Sequence, residues 1–238
     1  GDSILIQGNA LTLNPGGNDN WEYGIYLDGG GDNIYNVSNN TININTHVIA
    51  RVIQLKGKTY VYNNTITSTN DQWGDMIRVD NDTESTIYSN VFKMAGSRDD
   101  DRILKVDQGA TVNIYKNTFI TQNQPGIYIS TGVTGSVHNN TMVSTNDGNY
   151  GLYVDGSSLN IKNNNIVGFE TSIINNNTTM NFNINNNNTW NTSSHYSGSG
   201  LPPAIGSMID VNANGTTSDI YSNISQDPLF VYPDTNNY

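Results

Sequence analysis

One six-residue pattern recurs along almost the whole chain and limits what it can fold into. It is an aliphatic residue, two variable residues, asparagine, one variable residue, then usually an apolar one. It reads Ile6-Asn9-Leu11, then Val37-Asn40-Ile42, Val61-Asn64-Ile66, Ile87-Asn90-Phe92 and Ile114-Asn117-Phe119. Val137-Asn140-Met142 and Ile161-Asn164-Ile166 follow, with weaker copies at Ile184-Asn187-Thr189 and Ile220-Asn223-Ser225. Successive asparagines are 31, 24, 26, 27, 23, 24, 23 and 36 residues apart. Self-similarity at a period of about 20 to 50 residues marks a stacked repeat, in which no unit can bury its apolar face alone.

A second pattern keeps step with the first. It runs Ile25-Tyr26-Leu27-Asp28, Ile53-Gln54-Leu55-Lys56, Ile77-Arg78-Val79-Asp80, Leu104-Lys105-Val106-Asp107, Ile127-Tyr128-Ile129-Ser130 and Leu152-Tyr153-Val154-Asp155. Ile173-Ile174-Asn175-Asn176 is a poor copy and Ile209-Asp210-Val211-Asn212 a fair one. Apolar–polar alternation is the signature of a half-buried strand, and β-branched residues suit its inward slots. Each unit therefore holds about three short strands and no helical stretch. The pattern resembles the right-handed parallel β-helix of pectate lyases, chondroitinase-type lyases and many surface proteins. The resemblance covers roughly residues 3–231 and implies an all-β, single-stranded right-handed parallel β-helix of about nine coils. It also implies an internal asparagine ladder at a tight turn, formed by Asn40, Asn64, Asn90, Asn117, Asn140 and Asn164. A left-handed bend at these positions fits asparagine, which tolerates that conformation.

Composition agrees with order. The 41 asparagines among 238 residues would suggest a disordered tract if they were scattered, but their spacing is regular. The net charge of −11 opposes a non-specific nucleic-acid binder, which needs a surplus of Lys and Arg. No run approaches the ~18 apolar residues of a membrane span. With no cysteine there is no disulfide framework or thiol chemistry. The expected organisation is one domain, 1–238, with an insert near 14–23, a longer loop at about 190–207 and a C-terminal tail at 226–238 whose Asp227–Val231 stretch plugs the last coil. The coil around Asn175–Asn188 is expected to be looser than the rest. The first coil, Ser3–Leu13, is expected either to leave an exposed edge or to continue from upstream protein.

Aligning the repeats predicts outward columns, because strand side chains alternate between faces. One column is Tyr26, Gln54, Arg78, Lys105, Tyr128, Tyr153. Its neighbour is Asp28, Lys56, Asp80, Asp107, Ser130, Asp155. Three of only ten basic residues, Lys56, Arg78 and Lys105, thus fall on adjacent coils of one face, flanked by tyrosines. Aromatic rings pack on sugars while Arg and Lys pair with carboxylate or sulfate. Tyr26, Gln54, Lys56, Arg78, Lys105, Tyr128, Tyr153, Asp80 and Asp107 are therefore the expected ligand-binding residues. The same sheet carries the polysaccharide groove in the lyases that the repeat resembles.

The leading expectation is an extracellular, cell-surface or periplasmic domain that binds a polysaccharide, more often an acidic one, along this face. Two alternatives are a polysaccharide lyase, active or degenerate, and a structural or adhesive stalk. In β-helix lyases the base that removes the C5 proton is typically Lys or Arg, so the resemblance points to Arg78 and Lys105 as catalytic candidates. A hydrolase reading is weaker, since it needs one carboxyl kept protonated. No cofactor is required; Asp99, Asp100 and Asp101 are a candidate Ca²⁺ site, because that ion takes carboxylate oxygens. The three histidines, His47, His138 and His195, form no cluster, and His138 reads as structural. No nucleic-acid partner and no membrane insertion are expected, and the oligomeric state stays open.

Overall fold

A computed structural model describes residues 2–13, 22–28, 33–45, 50–69, 74–96, 101–181 and 183–230. Short strands and tight turns alternate along it, and among the described residues there is no helix. The strands wind into a parallel solenoid with three faces. Sheet one takes one strand from each coil, among them Ser3–Gln7, Ile34–Ser38, Lys58–Tyr62, Glu84–Tyr88, Thr111–Tyr115 and Thr134–His138. Sheet two stacks Ala10–Leu13, Thr41–Ile44, Thr65–Ser68, Val91–Met94 and Thr118–Thr121. Sheet three stacks Glu22–Tyr26, Ala50–Leu55, Ile77–Val79, Leu104–Val106 and Ile127–Ile129. The long strands Thr141–Asp155 and Asn165–Asn176 turn the corner between sheets two and three, so these two sheets join.

The register matches residue to residue what the repeat dictates. Val61 pairs with Ile87 and Ile87 with Ile114 on sheet one, while Ile77, Leu104, Ile127 and Leu152 stack on sheet three. All of these are fully buried, as is Phe92, whose ring lies 5.2 Å from that of Phe119. Burying each such side chain contributes ~1.5–3 kcal/mol, and only stacking makes that burial available.

The ladder runs through nine asparagines. Each Nδ2 donates to the Oδ1 of the asparagine one coil on: Asn9 to Asn40, and so by way of Asn64, Asn90, Asn117, Asn140, Asn164 and Asn187 to Asn223, at 2.9–3.1 Å. The same Oδ1 also accepts the backbone N–H of the preceding ladder residue, as Asn117 does from Asn90 at 3.1 Å. The second Nδ2 hydrogen goes to a carbonyl of the coil before, for Asn117 that of Ile87 at 2.9 Å. A carboxamide can satisfy this pattern because it offers two donors and a doubly accepting oxygen.

Three expectations are corrected. The left-handed conformation belongs to the residue before each ladder asparagine: Asn39, Asn63, Ser89, Lys116, Asn139, Asn163, Asn186 and Ser222, at φ 54–61°. That bend swings the next side chain inward, so the asparagine that stacks need not be the residue that bends. The solenoid makes about seven turns, not nine. Near the C-terminus Asp210–Val211 pairs antiparallel with Thr217–Ser218, and Ile209, Val211 and Ile220 stay exposed, so these repeat copies bury no aliphatic side chain, although Asn223 is buried as the last ladder residue.

The coil around Asn175 is filled with amides: Asn175, Asn177 and Asn181 are buried, and Asn175 Nδ2 donates to the Gly200 carbonyl at 2.6 Å. In the tail, Asp227, Pro228, Leu229 and Phe230 share a cavity with Val143, Val167 and Trp190 of sheet two. The insert at 14–21, the tail from 231 and Trp21 lie outside the described residues.

Candidate functional site

The outward face of sheet three is where the repeat places charge. Register sets Tyr26 beside Gln54, Gln54 beside Arg78, Arg78 beside Lys105, Lys105 beside Tyr128, and Tyr128 beside Tyr153. The expected column thus exists as a continuous row, one residue per coil. Its side chains project because the flanking aliphatics take the inward slots.

The charges of this row are already engaged. Arg78 Nε donates to Asp107 Oδ2 at 2.6 Å and lies 3.8 Å from Asp80. Lys105 Nζ lies 3.6 Å from the other oxygen of Asp107. Both oxygens of Asp80 accept from Gln54 Nε2, at 2.7 and 2.9 Å, and Gln54 Oε1 accepts from Arg51 at 2.8 Å. Gln54 is thereby a buried bridge rather than an exposed contact. Lys56 pairs at the rim with Asp28 at 2.7 Å, both well exposed, and such a pair contributes little to stability. An open cavity of about 340 Å³ is lined by Gln54, Lys56, Arg78, Asp80, Asn81 and Asp107.

Towards the C-terminal coils the face turns aromatic. Tyr128 and Tyr153 stack with centroids 5.1 Å apart, and Tyr150 tilts against Tyr153 at 5.3 Å. Arg102 lies 5.0 Å from the Tyr128 ring centroid, its Nη1 is 3.3 Å from Asp75, and its Nε donates to the Tyr150 hydroxyl at 3.4 Å. Burial pushes the Asp75 carboxyl above its ordinary range, against the pull of Arg102, Lys105 and Arg78. Burial also raises the Tyr128 hydroxyl.

Asp75 and Arg102 stand out in the sequence as residues of the turn just ahead of the sheet-three strands, whereas Tyr150 and Arg51 do not. All four lie two residues before the first inward aliphatic of their strands, Ile77, Leu104, Leu152 and Ile53, so aligning that position across the coils finds the other two. Of the candidate metal ligands, Asp99 and Asp100 lie outside the described residues, as does Trp73. Asp101 is buried, with Oδ1 accepting the Gly74 N–H at 2.6 Å. Among the described residues no three His, Asp or Glu side chains gather as a metal site.

Sheet one carries a second row. Tyr62, Tyr88, Tyr115 and His138 stack with centroids 5.0–5.2 Å apart and planes within 9°. Each lies two residues before a ladder asparagine, so the repeat held the signal. The rings cover one another's faces and present edges to solvent, which makes the row a spine that stiffens the sheet. Burial lowers the His138 pKa first, helped by Lys162 and Lys116, so the spine ends on a neutral ring at neutral pH.

No protein-family model, no curated protein and no solved structure matches the chain.

Proposed function

We propose that this is an extracellular or cell-surface β-solenoid domain whose sheet-three face binds an acidic polysaccharide. One observation carries the reading: Arg78, Lys105, Tyr128 and Tyr153 occupy a single register column beside an open cavity. A polymer lying along the solenoid axis would meet a cationic stretch and then an aromatic one. Asp107 faces both Arg78 and Lys105, so one carboxylate serves two cations and a uronate or sulfate could take a share of either. Asp80 and Asp107 would hydrogen-bond sugar hydroxyls.

Affinity electrophoresis through gels containing alginate, pectate or chondroitin sulfate tests the reading. At least one polymer is expected to retard the protein, less so at higher salt because exposed charges are screened. The double variant Tyr128→Ala/Lys105→Ala is expected to weaken that binding at least about tenfold, ~1.4 kcal/mol. Equal retardation of the variant and the parent sinks the assignment of the face. Appearance of unsaturated-uronate absorbance in the same mixtures, lost in Lys105→Ala, would identify the lyase alternative.

A further inference from the structure

A second surface lies on the other flank of the solenoid. On sheet two the outward positions Val143, Val167 and Trp190 stack in register on the last three coils. Trp190 is 37% exposed and stands between two cavities. One, of about 390 Å³, is lined by Asp147, Asn191, Thr192, Ser193, His195 and Ser225; the other, of about 530 Å³, by Val143, Val167, Leu229 and their neighbours. The indole is therefore flanked by a polar cavity and by a mixed one, in which Val143, Val167, Pro228, Leu229 and Phe230 supply apolar surface beside Ser144, Thr145 and Asp227, and both volumes are of small-ligand size, ~300–1,000 Å³.

The polar side is held in place from beneath. The buried Thr189 hydroxyl and His195 Nδ1 are hydrogen-bonded at 2.9 Å, which fixes the ring and leaves Nε2 as its remaining polar atom. Asp147 and Asn191 both adopt left-handed backbone, at φ 52° and 50°, away from the regular turns of the ladder. Among the described residues, the side chains of Asp147, Asn191 and Ser193 make no hydrogen bond or ion pair. This is the reverse of the sheet-three face, where nearly every charge is matched.

We infer that the Trp190 cleft is a binding site for a neutral sugar unit, separate from the sheet-three face. A pyranose is amphipathic in the way the cleft is: its C–H face packs on an indole while its hydroxyls meet acceptors and donors at the edge. Asp147 accepts hydroxyl hydrogens, and Asn191, Ser193 and His195 supply both hydrogen-bonding senses. Among the described residues no Lys or Arg lines either cavity, so a uronate or sulfate would face Asp147 and Asp227 with no counter-charge. That excludes the acidic units which the sheet-three face would take.

Titrating the whole chain with cellohexaose, xylohexaose, maltohexaose and chitohexaose, and reading tryptophan emission, tests the site. At least one hexamer is expected to shift the emission of the wild type and not of Trp190→Phe. Trp190→Ala should weaken that hexamer at least about tenfold and Asp147→Asn about threefold to tenfold, read by calorimetry. Thr86→Ala, on sheet one, should bind like the parent. A galacturonate hexamer should not compete. The proposal is overturned if no hexamer perturbs Trp190 at about 10 mM, if Trp190→Ala binds as well as the wild type while keeping its urea midpoint, or if the galacturonate hexamer binds in a Trp190-dependent way.

Discussion

Asn117→Ala is expected to destabilise the solenoid by about 3–5 kcal/mol. Asn117 stands in the middle of the ladder and is 1% exposed. Its Oδ1 accepts two hydrogens from Asn90, the backbone N–H at 3.1 Å and Nδ2 at 3.0 Å. Its Nδ2 donates to Asn140 at 3.1 Å and to the Ile87 carbonyl at 2.9 Å. Truncation leaves the Asn90 backbone N–H with no acceptor in an interior that water does not reach, takes the Nδ2 donors away from Asn140 Oδ1 and the Ile87 carbonyl, and leaves Asn90 Nδ2 only the Val61 and Tyr88 carbonyls. Each buried unsatisfied group costs ~1–3 kcal/mol, and the cavity left by the side chain adds to it. Urea unfolding reads the change as a lower midpoint with an unaltered slope. Thr86→Ala, on the outward side of sheet one, is the control and should stay within about 0.5 kcal/mol. A similar small effect at Asn117 would mean that apolar stacking alone holds the coils in register.

Asp219→Asn is expected to cost about 2–4 kcal/mol and to loosen the C-terminal end first. The ladder has a direction, with every asparagine donating towards the C-terminus, so the last one needs an acceptor that is not another asparagine. Asp219 supplies it. Asn223 donates its backbone N–H to Oδ1 at 2.9 Å and its Nδ2 to Oδ2 at 3.0 Å; Tyr221 and Gly206 donate their backbone N–H groups at 2.9 and 2.8 Å. Only a carboxylate presents two oxygens to four donors. Asparagine of the same shape turns one oxygen into an NH2 group that points at two of those donors, and each lost acceptor carries the unsatisfied-group cost of ~1–3 kcal/mol. Because a solenoid is held mainly by nearest-neighbour contacts, hydrogen exchange should quicken at Asn223 and Asn187 before it does at Asn90. Uniform quickening along the ladder would contradict a terminal role for Asp219. Asp210→Asn, an exposed site on the short hairpin, should change little.

Stacked coils are legible in a sequence when one residue type is required at one depth in each. Asn40 to Asn164 are such residues, and the aliphatics three places before them mark the inward slot. The columns of sheet three followed from the same alignment, down to the pairing of Lys105 with Tyr128. What escaped was anything set by the third dimension rather than by the repeat. That Asn39, not Asn40, carries the left-handed bend depends on the turn's geometry, and two adjacent asparagines read alike. That Asp lies beside Lys and Arg on neighbouring coils follows from the two columns, but which partners meet does not: Gln54 pairs with Asp80 and Arg78 with Asp107 diagonally across coils. Ile209 and Ile220 match the repeat in type but lie on the hairpin and the terminal turn, where no further coil covers them. Trp190 was hidden for the opposite reason: it opens an irregular insert, and only the fold brings Val143, Val167 and His195 around it.

Amide chemical-shift mapping with a hexasaccharide of the polymer that retards the protein most tests the central claim, that the sheet-three face is the ligand surface. Shifts are expected to trace one line along the solenoid axis, through Arg78, Lys105, Tyr128 and Tyr153, with the ladder asparagines beneath them unmoved. Shifts confined to sheet one, or scattered with no axial line, would contradict it.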